Sequence, residues 1–359
     1  MKILFVHLLN NYSGSPKVLS TELKLLTKNT DYEIFLLTSN TEGFLSNIEN
    51  IKYYYNGYRW TYNKILLAFL FGISQLKSFL FVLFHKFDIV YINTVVPFGA
   101  ALAAKIRHET VIYHVHEVYL NPGFVKRLYI NVMEKCSKKI ICVSKYVQNN
   151  ISILNKPNSV IYNPIEIHEI NDDITEFIKN KYNKKIVFMP TSLKTYKGIT
   201  QFINIAINNK DLRFILLCNV PIEEMKQYFK DYDLPDNLKL IGKQNNLIEY
   251  YNEAAVVMNL TLPDQCIETF GLTLVEGFDA FTPAIAPGFG GPKEIIVDGI
   301  NGFLVNPYDI DYITEKLRQI FLNFDNYKRF SINARKSLDR FNNDIFIKKI
   351  IKEINEAIP

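Results

Sequence analysis

Short apolar runs alternate with helix-length amphipathic stretches from one end of the chain to the other. In the first half, Lys2–His7, Tyr32–Leu37, Asp88–Asn93, Val111–His116, Lys139–Ser144 and Ser159–Tyr162 read as strands. In the second half the strands are Lys185–Met189, Arg213–Cys218, Leu238–Gly242, Ala255–Leu260, Pro283–Ala286 and Asn301–Val305. Runs of this kind, separated by helices, predict parallel sheets made of βαβ units and buried on both faces. About six units in each half predict an α/β protein of two doubly wound, Rossmann-like domains. The expected domains are residues 1–166 and 167–340, followed by a terminal helix at 341–359. In that helix Ile345, Ile347, Ile350, Ile351, Ile354 and Ile358 form an amphipathic pattern that must bury one face.

One segment departs from this pattern. Ile65–Phe84 is apolar over the length of a membrane span, yet Gln75 and Lys77 sit inside it. Its place between two sheet strands favours a core-facing crossover helix with surplus apolar residues on its outer face. The preceding Tyr58-Arg59-Trp60-Thr61-Tyr62-Asn63-Lys64 suits a membrane interface, so residues 58–84 leave peripheral membrane contact open beside plain burial.

Charge sharpens that alternative. Residues 1–166 carry 18 Lys and Arg against 10 Asp and Glu, a balance of +8, within a total of +5. Such a half suits an acidic acceptor or an anionic surface. The overall charge is too modest for nucleic-acid binding, for which no motif appears. Cys136, Cys142, Cys218 and Cys266 form no CxxC pair, which fits a reducing, cytoplasmic setting, and the apolar Ile3–Val6 run is too short for a secretory signal.

Ligands of doubly wound domains gather at the carboxyl ends of strands. Asn10-Asn11-Tyr12-Ser13-Gly14-Ser15-Pro16 follows the first strand and opens a helix, exposing N–H groups to an anion, although it is not a GxGxxG. His116 ends a strand on the same face as His114, and reads either as a donor to a sugar or phosphate oxygen or as a structural histidine. Lys197-Gly198 opens a helix and adds a full charge to its dipole. Glu268 and Glu276 lie eight positions apart around Phe270-Gly271-Leu272-Thr273. Their carboxylates suit sugar hydroxyls, and the N–H groups of Gly271, Leu272 and Thr273 suit phosphate or sugar oxygens. Asp231-Tyr232-Asp233 fits a metal-binding DxD pattern but precedes a strand, at the edge away from the ligands, and no other metal-ligand set is evident.

Lys197-Gly198, the Glu268–Glu276 motif, Gly290-Gly291-Pro292-Lys293-Glu294 and Asp298-Gly299-Ile300-Asn301-Gly302-Phe303-Leu304-Val305 resemble, in that order, the retaining family-4 glycosyltransferases of the GT-B fold. The resemblance covers nearly the whole chain. It implies an acceptor-side first domain, a nucleotide-sugar-binding second domain and a final helix returning to the first. It assigns Lys197 to a diphosphate, Glu276 to a ribose, Glu268 and the Phe270–Leu272 backbone to the donor sugar, His116 to the sugar's reacting side and Gly14 to the phosphate. Where the family carries Gly-Arg, this chain has Thr191-Ser192, so Ser192 replaces one phosphate cation. The implied reaction moves a sugar, by default from a UDP-sugar, to a glycan or lipid-linked acceptor without metal or other cofactor, in surface-glycan or polysaccharide assembly. An epimerase on the same fold and a non-catalytic nucleotide-sugar-binding subunit remain as alternatives.

Overall fold

A computed structural model describes the chain except for residues 119–122, 152–155, 171–172 and 359. The described residues form two compact units, Met1–Pro164 with Asn343–Pro359, and Ile165–Asn342.

The first unit begins β1 (Lys2–Val6), α1 (Gly14–Asn29), β2 (Glu33–Thr38), β3 (Ile51–Tyr55), α2 (Lys64–Phe84), β4 (Ile89–Asn93) and α3 (Phe98–Ile106). It continues β5 (Thr110–Val115), α4 (Phe124–Cys136), β6 (Lys139–Cys142), α5 (Lys145–Ile151) and β7 (Asn158–Val160). These strands make one parallel sheet in the order β3-β2-β1-β4-β5-β6-β7. β3 is absent from the sequence expectation. It is a half-exposed edge strand whose Tyr53, Tyr54 and Tyr55 give no continuous apolar run.

The second unit begins α6 (Ile174–Lys184), β8 (Ile186–Thr191), α7 (Ile199–Asn208), β9 (Arg213–Cys218), α8 (Ile222–Tyr228), β10 (Leu238–Ile241) and α9 (Ile248–Glu253). It continues β11 (Val256–Met258), α10 (Leu272–Asp279), β12 (Ala284–Pro287), α11 (Pro292–Ile295), β13 (Gly302–Val305), α12 (Ile310–Ile320) and α13 (Phe324–Lys336). Its sheet is also parallel, in the order β10-β9-β8-β11-β12-β13. The last helix, α14 (Asn343–Ala357), belongs to the first unit. It buries Phe346, Ile347, Ile350, Ile354 and Ala357 in one core with Leu19, Leu23 and Leu26 of α1.

Strand order locates the candidate sites. Chain direction across the sheet reverses at β1, which lies between β2 and β4, and at β8, which lies between β9 and β11. At such switch points the loops part and open a crevice at the carboxyl ends of the strands.

α2 is the crossover helix expected, with apolar residues on its outer face, but its inward face is mostly polar. Its buried residues are Ser74, Gln75, Ser78 and Val82, while Ile65 is 84% exposed, Phe69 64% and Phe84 76%. The inward face is small and polar because α3, rich in alanine, approaches closely and the Gln75 side-chain oxygen accepts from Gly99 N–H at 3.0 Å. Apolar residues are thereby displaced outward, joined by exposed Leu102 and Ile106 of α3 and by the edge-on Trp60–Tyr62 pair.

Candidate functional site

In the second unit, neighbouring strands β8 and β11 bring together loops that lie far apart in sequence. Thr195–Lys197 forms a 3₁₀ turn after β8, and Tyr196 O accepts from Leu262 N at 2.8 Å in the loop after β11. Gly198 makes this approach feasible: its φ is +75°, and a Cβ there would lie 2.1 Å from Leu260 O.

The result is a compact polar cluster. Lys197 Nζ lies 2.9 Å from Glu268 Oε2 and 3.3 Å from Thr261 Oγ1. Asn259 Nδ2 donates to the same Glu268 oxygen at 3.0 Å, while its Oδ1 accepts from Thr261 N–H and hydroxyl. Burial opposes the charge on both members of the ion pair. It is outweighed on Lys197 by the carboxylate, which raises its pKa, and on Glu268 by the ammonium and the Asn259 amide, which lower it. Both are ionised at neutral pH.

Behind this pair, the backbone of residues 268–270 rests on glycines. Gly291 N donates to Glu268 O at 2.8 Å, and a Cβ on Gly291 would lie 2.4 Å from Thr269 O. The Phe270 side chain points into the core, edge-on to Phe341 at 5.7 Å, so only its backbone is available to a ligand. Gly271 caps α10, whose first N–H groups belong to Leu272 and Thr273, and the Thr273 hydroxyl is buried without a partner. Glu276, one turn along α10, accepts a 2.5 Å hydrogen bond from Tyr251 OH. Ser192 follows β8 with its carbonyl bonded to Lys194 N, and the Lys194 side chain is exposed.

His116 and Gly14 lie in the first unit, at the ends of β5 and β1. Gly14 opens α1 from an exposed turn in which Asn11 Oδ1 accepts from the Ser13 N–H and hydroxyl. Asn10 pins that turn through Ser39, Thr41, Leu45 and Ser46. Elsewhere in the first unit, buried Asn93 joins two histidines: its Nδ2 lies 3.0 Å from His7 Nδ1 and its Oδ1 lies 2.9 Å from His116 Nε2. Burial, with His114 and His7 nearby, holds the His116 pKa well below the usual range. The ring is neutral, and its Nε2 is engaged with Asn93. Its ring lies 4.5 Å from His114, which shares its face of the sheet.

Glu117, beside it, is pushed up to about 7 by burial despite hydrogen bonds from the backbone and Thr94. Thr94 itself adopts a left-handed φ of +74°, a strained state that concentrates at functional sites. Sequence reasoning missed Asn93, His7, Asn259, Thr261 and Tyr251. For Asn93 and His7 a signal was present, namely a polar residue ending an otherwise apolar strand.

Burial lowers His7 to about 4. A lowered folded pKa contributes stability that is present above the unfolded value of 6.5 and lost as pH falls through the folded one. His7 alone is expected to cost about 2 kcal/mol of stability between pH 7 and pH 5. Glu117 works in the opposite sense, its cost being relieved as it takes up a proton. Urea unfolding at both pH values should therefore show a smaller acid loss in His7→Gln than in the parent chain, and equal losses would refute the assignment.

Two family models match in succession: Glycosyltransferase Family 4 over residues 17–169 and Glycosyl transferases group 1 over residues 170–337. The chain is similar to an uncharacterized glycosyltransferase of Methanocaldococcus jannaschii, 23% identical over 99% of both chains. It is also similar to rice (Oryza sativa subsp. japonica) sucrose synthase 2, 30% identical over 44% of this chain, but spans only 21% of that protein's length. The solved structure of Anabaena HepE in complex with UDP and glucose superposes with a TM-score of 0.80 at 19% identity, covering 99% of each chain. That likeness establishes the GT-B fold.

Proposed function

We propose that this chain, which belongs to the glycosyltransferases of family 4 and group 1, transfers a sugar from a UDP-sugar to an acceptor hydroxyl with retention at the anomeric carbon. The observation that carries this reading is the Lys197–Glu268 pair at 2.9 Å beside the N-terminus of α10, with Glu276 one turn along that helix. Lys197 and the α10 N–H groups take the diphosphate, Glu276 the ribose hydroxyls, and Glu268 with the 270–272 backbone the donor sugar. Ser192 and Gly14 contribute uncharged phosphate contacts. UDP is favoured because Anabaena HepE binds it.

In the reaction, the bond from the anomeric carbon to the diphosphate oxygen breaks and a bond to the acceptor oxygen forms on the same face. The acceptor proton passes to the departing diphosphate. Stabilising that leaving group by a preorganised charge and N–H groups is the dominant catalytic effect and supports a metal-independent reaction.

The test is thermal shift with UDP-, GDP-, ADP- and TDP-sugars in EDTA, repeated with Lys197→Ala and Glu276→Ala. Stabilisation by the UDP class, lost in both variants, is expected. Stabilisation by none, even with added Mn²⁺, would defeat the reading.

The exposed apolar face of α2 supports a second element of the proposal, peripheral contact with the inner face of a membrane during surface-glycan or polysaccharide assembly. Ile65, Phe69 and Phe84 form the apolar contact, and exposed Arg59, Lys64, Lys77 and Lys86 suit anionic headgroups. Co-sedimentation with vesicles containing phosphatidylglycerol is expected, and Phe69→Ser with Phe84→Ser should abolish it. A vesicle-independent dimer broken by the same changes would assign the face to a second copy instead.

A further inference from the structure

Among the described residues of the second unit, Lys181 of α6 is the charged side chain most removed from water, 1% exposed. A lysine is rarely buried unless every N–H is matched. Here three acceptors meet it: Tyr251 O at 2.9 Å, Thr282 Oγ1 at 2.6 Å and Ala280 O. Phe177 covers it, with Nζ 5.0 Å from the ring centre.

The positions of these acceptors matter more than their number. Tyr251 O belongs to the last turn of α9 and Ala280 is the C-cap of α10, so a single lysine nitrogen, its pKa held well below the usual lysine range by burial, joins the C-terminal ends of two helices. Thr282 reinforces the knot, its hydroxyl lying 3.3 Å from Tyr251 O, 3.2 Å from Ala254 O and 3.2 Å from Ala280 O. The same two helices meet again through Tyr251 OH and Glu276 Oε2, at 2.5 Å. Tyr251 is fixed on its other side by Phe188, edge-on at 5.3 Å.

We infer that Lys181 is a positioning residue for the donor site: by tying α9 to α10 it holds the Tyr251 hydroxyl on Glu276 and so aims that carboxylate at the ribose. The inference rests on the reading of Glu276 as the ribose ligand. With Lys181 removed, Tyr251 O and Ala280 O are left to share the single Thr282 hydroxyl proton with Ala254 O, α9 shifts against α10, and the Tyr251–Glu276 bond is lost although no residue placed on the nucleotide has been substituted.

The experiment compares binding of UDP and 2′,3′-dideoxy-UDP to the full chain by calorimetry. The variants are Lys181→Met, Lys181→Arg, Tyr251→Phe, Glu276→Gln and the Lys181→Met/Tyr251→Phe double. Parent preference for UDP should fall about tenfold in Glu276→Gln, Tyr251→Phe and Lys181→Met, as for the loss of one charge-assisted hydrogen bond. The double variant should fall no further than the worse single, because both break the same connection. Binding of the dideoxy ligand should change little, which a general loosening of the fold would not produce. Lys181→Arg, which keeps the N–H donors, should retain part of the preference and serves if the methionine variant does not fold. Loss in Glu276→Gln with full preference in Lys181→Met, or additive losses in the double, would overturn the inference alone. Unchanged preference in Glu276→Gln, or no UDP binding by the parent, would overturn the ribose reading and the inference with it.

Discussion

Lys197→Ala is expected to lower kcat for transfer by on the order of a thousandfold, the scale seen when a preorganised charge on a developing anion is removed. The geometry explains why the effect exceeds that of a lost surface charge. Lys197 Nζ is held 2.9 Å from Glu268 Oε2 and 3.3 Å from Thr261 Oγ1, so its position is set before a donor arrives. Removing it also leaves the Glu268 carboxylate, with only 21% of its side chain exposed, facing an incoming diphosphate without a counter-ion. Donor affinity should therefore fall along with kcat. Lys197→Arg should recover only part of the rate, because a planar fork cannot reproduce a compact ammonium in the same pocket. Steady-state rates with product detection, beside donor affinity by calorimetry, separate the two effects. A variant retaining more than a tenth of the parent kcat would remove Lys197 from the catalytic role.

The pair also leaves a pH signature. Glu268 has a lowered pKa, so its contribution to stability is fully present above its unfolded value of 4.5 and is lost as pH falls through the folded value. In Lys197→Ala that acid-side loss should shrink, because the charge that lowers the carboxyl is gone.

Gly291→Ala carries the second large effect, and its cause is steric. The added methyl would lie 2.4 Å from both Thr269 O and Phe270 Cα, backbone atoms that can move only if the Glu268-bearing loop shifts. A displacement of about 1 Å in a positioned catalytic group costs on the order of a hundredfold in rate. Overpacking of this kind destabilises by about 1–3 kcal/mol. The control is Gly299→Ala, where φ is +73° but no atom lies within 4 Å of the new Cβ. It should cost about 1 kcal/mol of stability through backbone strain and leave transfer intact. Equal effects of the two substitutions on rate would show that the 268–270 loop does not depend on its glycine support.

Most strands were legible because a parallel strand buried on both faces leaves a continuous apolar run in sequence, as in Ile186–Thr191 or Ile89–Asn93. β3 escaped because an edge strand is half exposed, and a strand of tyrosines has no such run. The polar inward face of α2 was not legible for a related reason. Hydrophobicity reports that a surface avoids water, not which neighbour it meets, and close approach to α3 places its small polar residues inside.

The site divides along the same line. Lys197-Gly198 and the Glu268–Glu276 motif were visible because a charge or a glycine at a strand-to-helix turn has a local cause: exposed N–H groups and a positive φ. That Lys197 meets Glu268, that Asn259 and Tyr251 hold the two carboxylates, and that Asn93 meets His116 depend on strand order. β8 lies beside β11, and β1 beside β4, although long stretches of chain separate each pair. The sequence by itself determined the elements, the parallel layering and the residue types at the loop ends, since burial and turn geometry act over a few residues. Only the tertiary structure decided which loop ends share a site, because strand adjacency is settled by packing across the whole sheet and leaves no periodic trace in the chain.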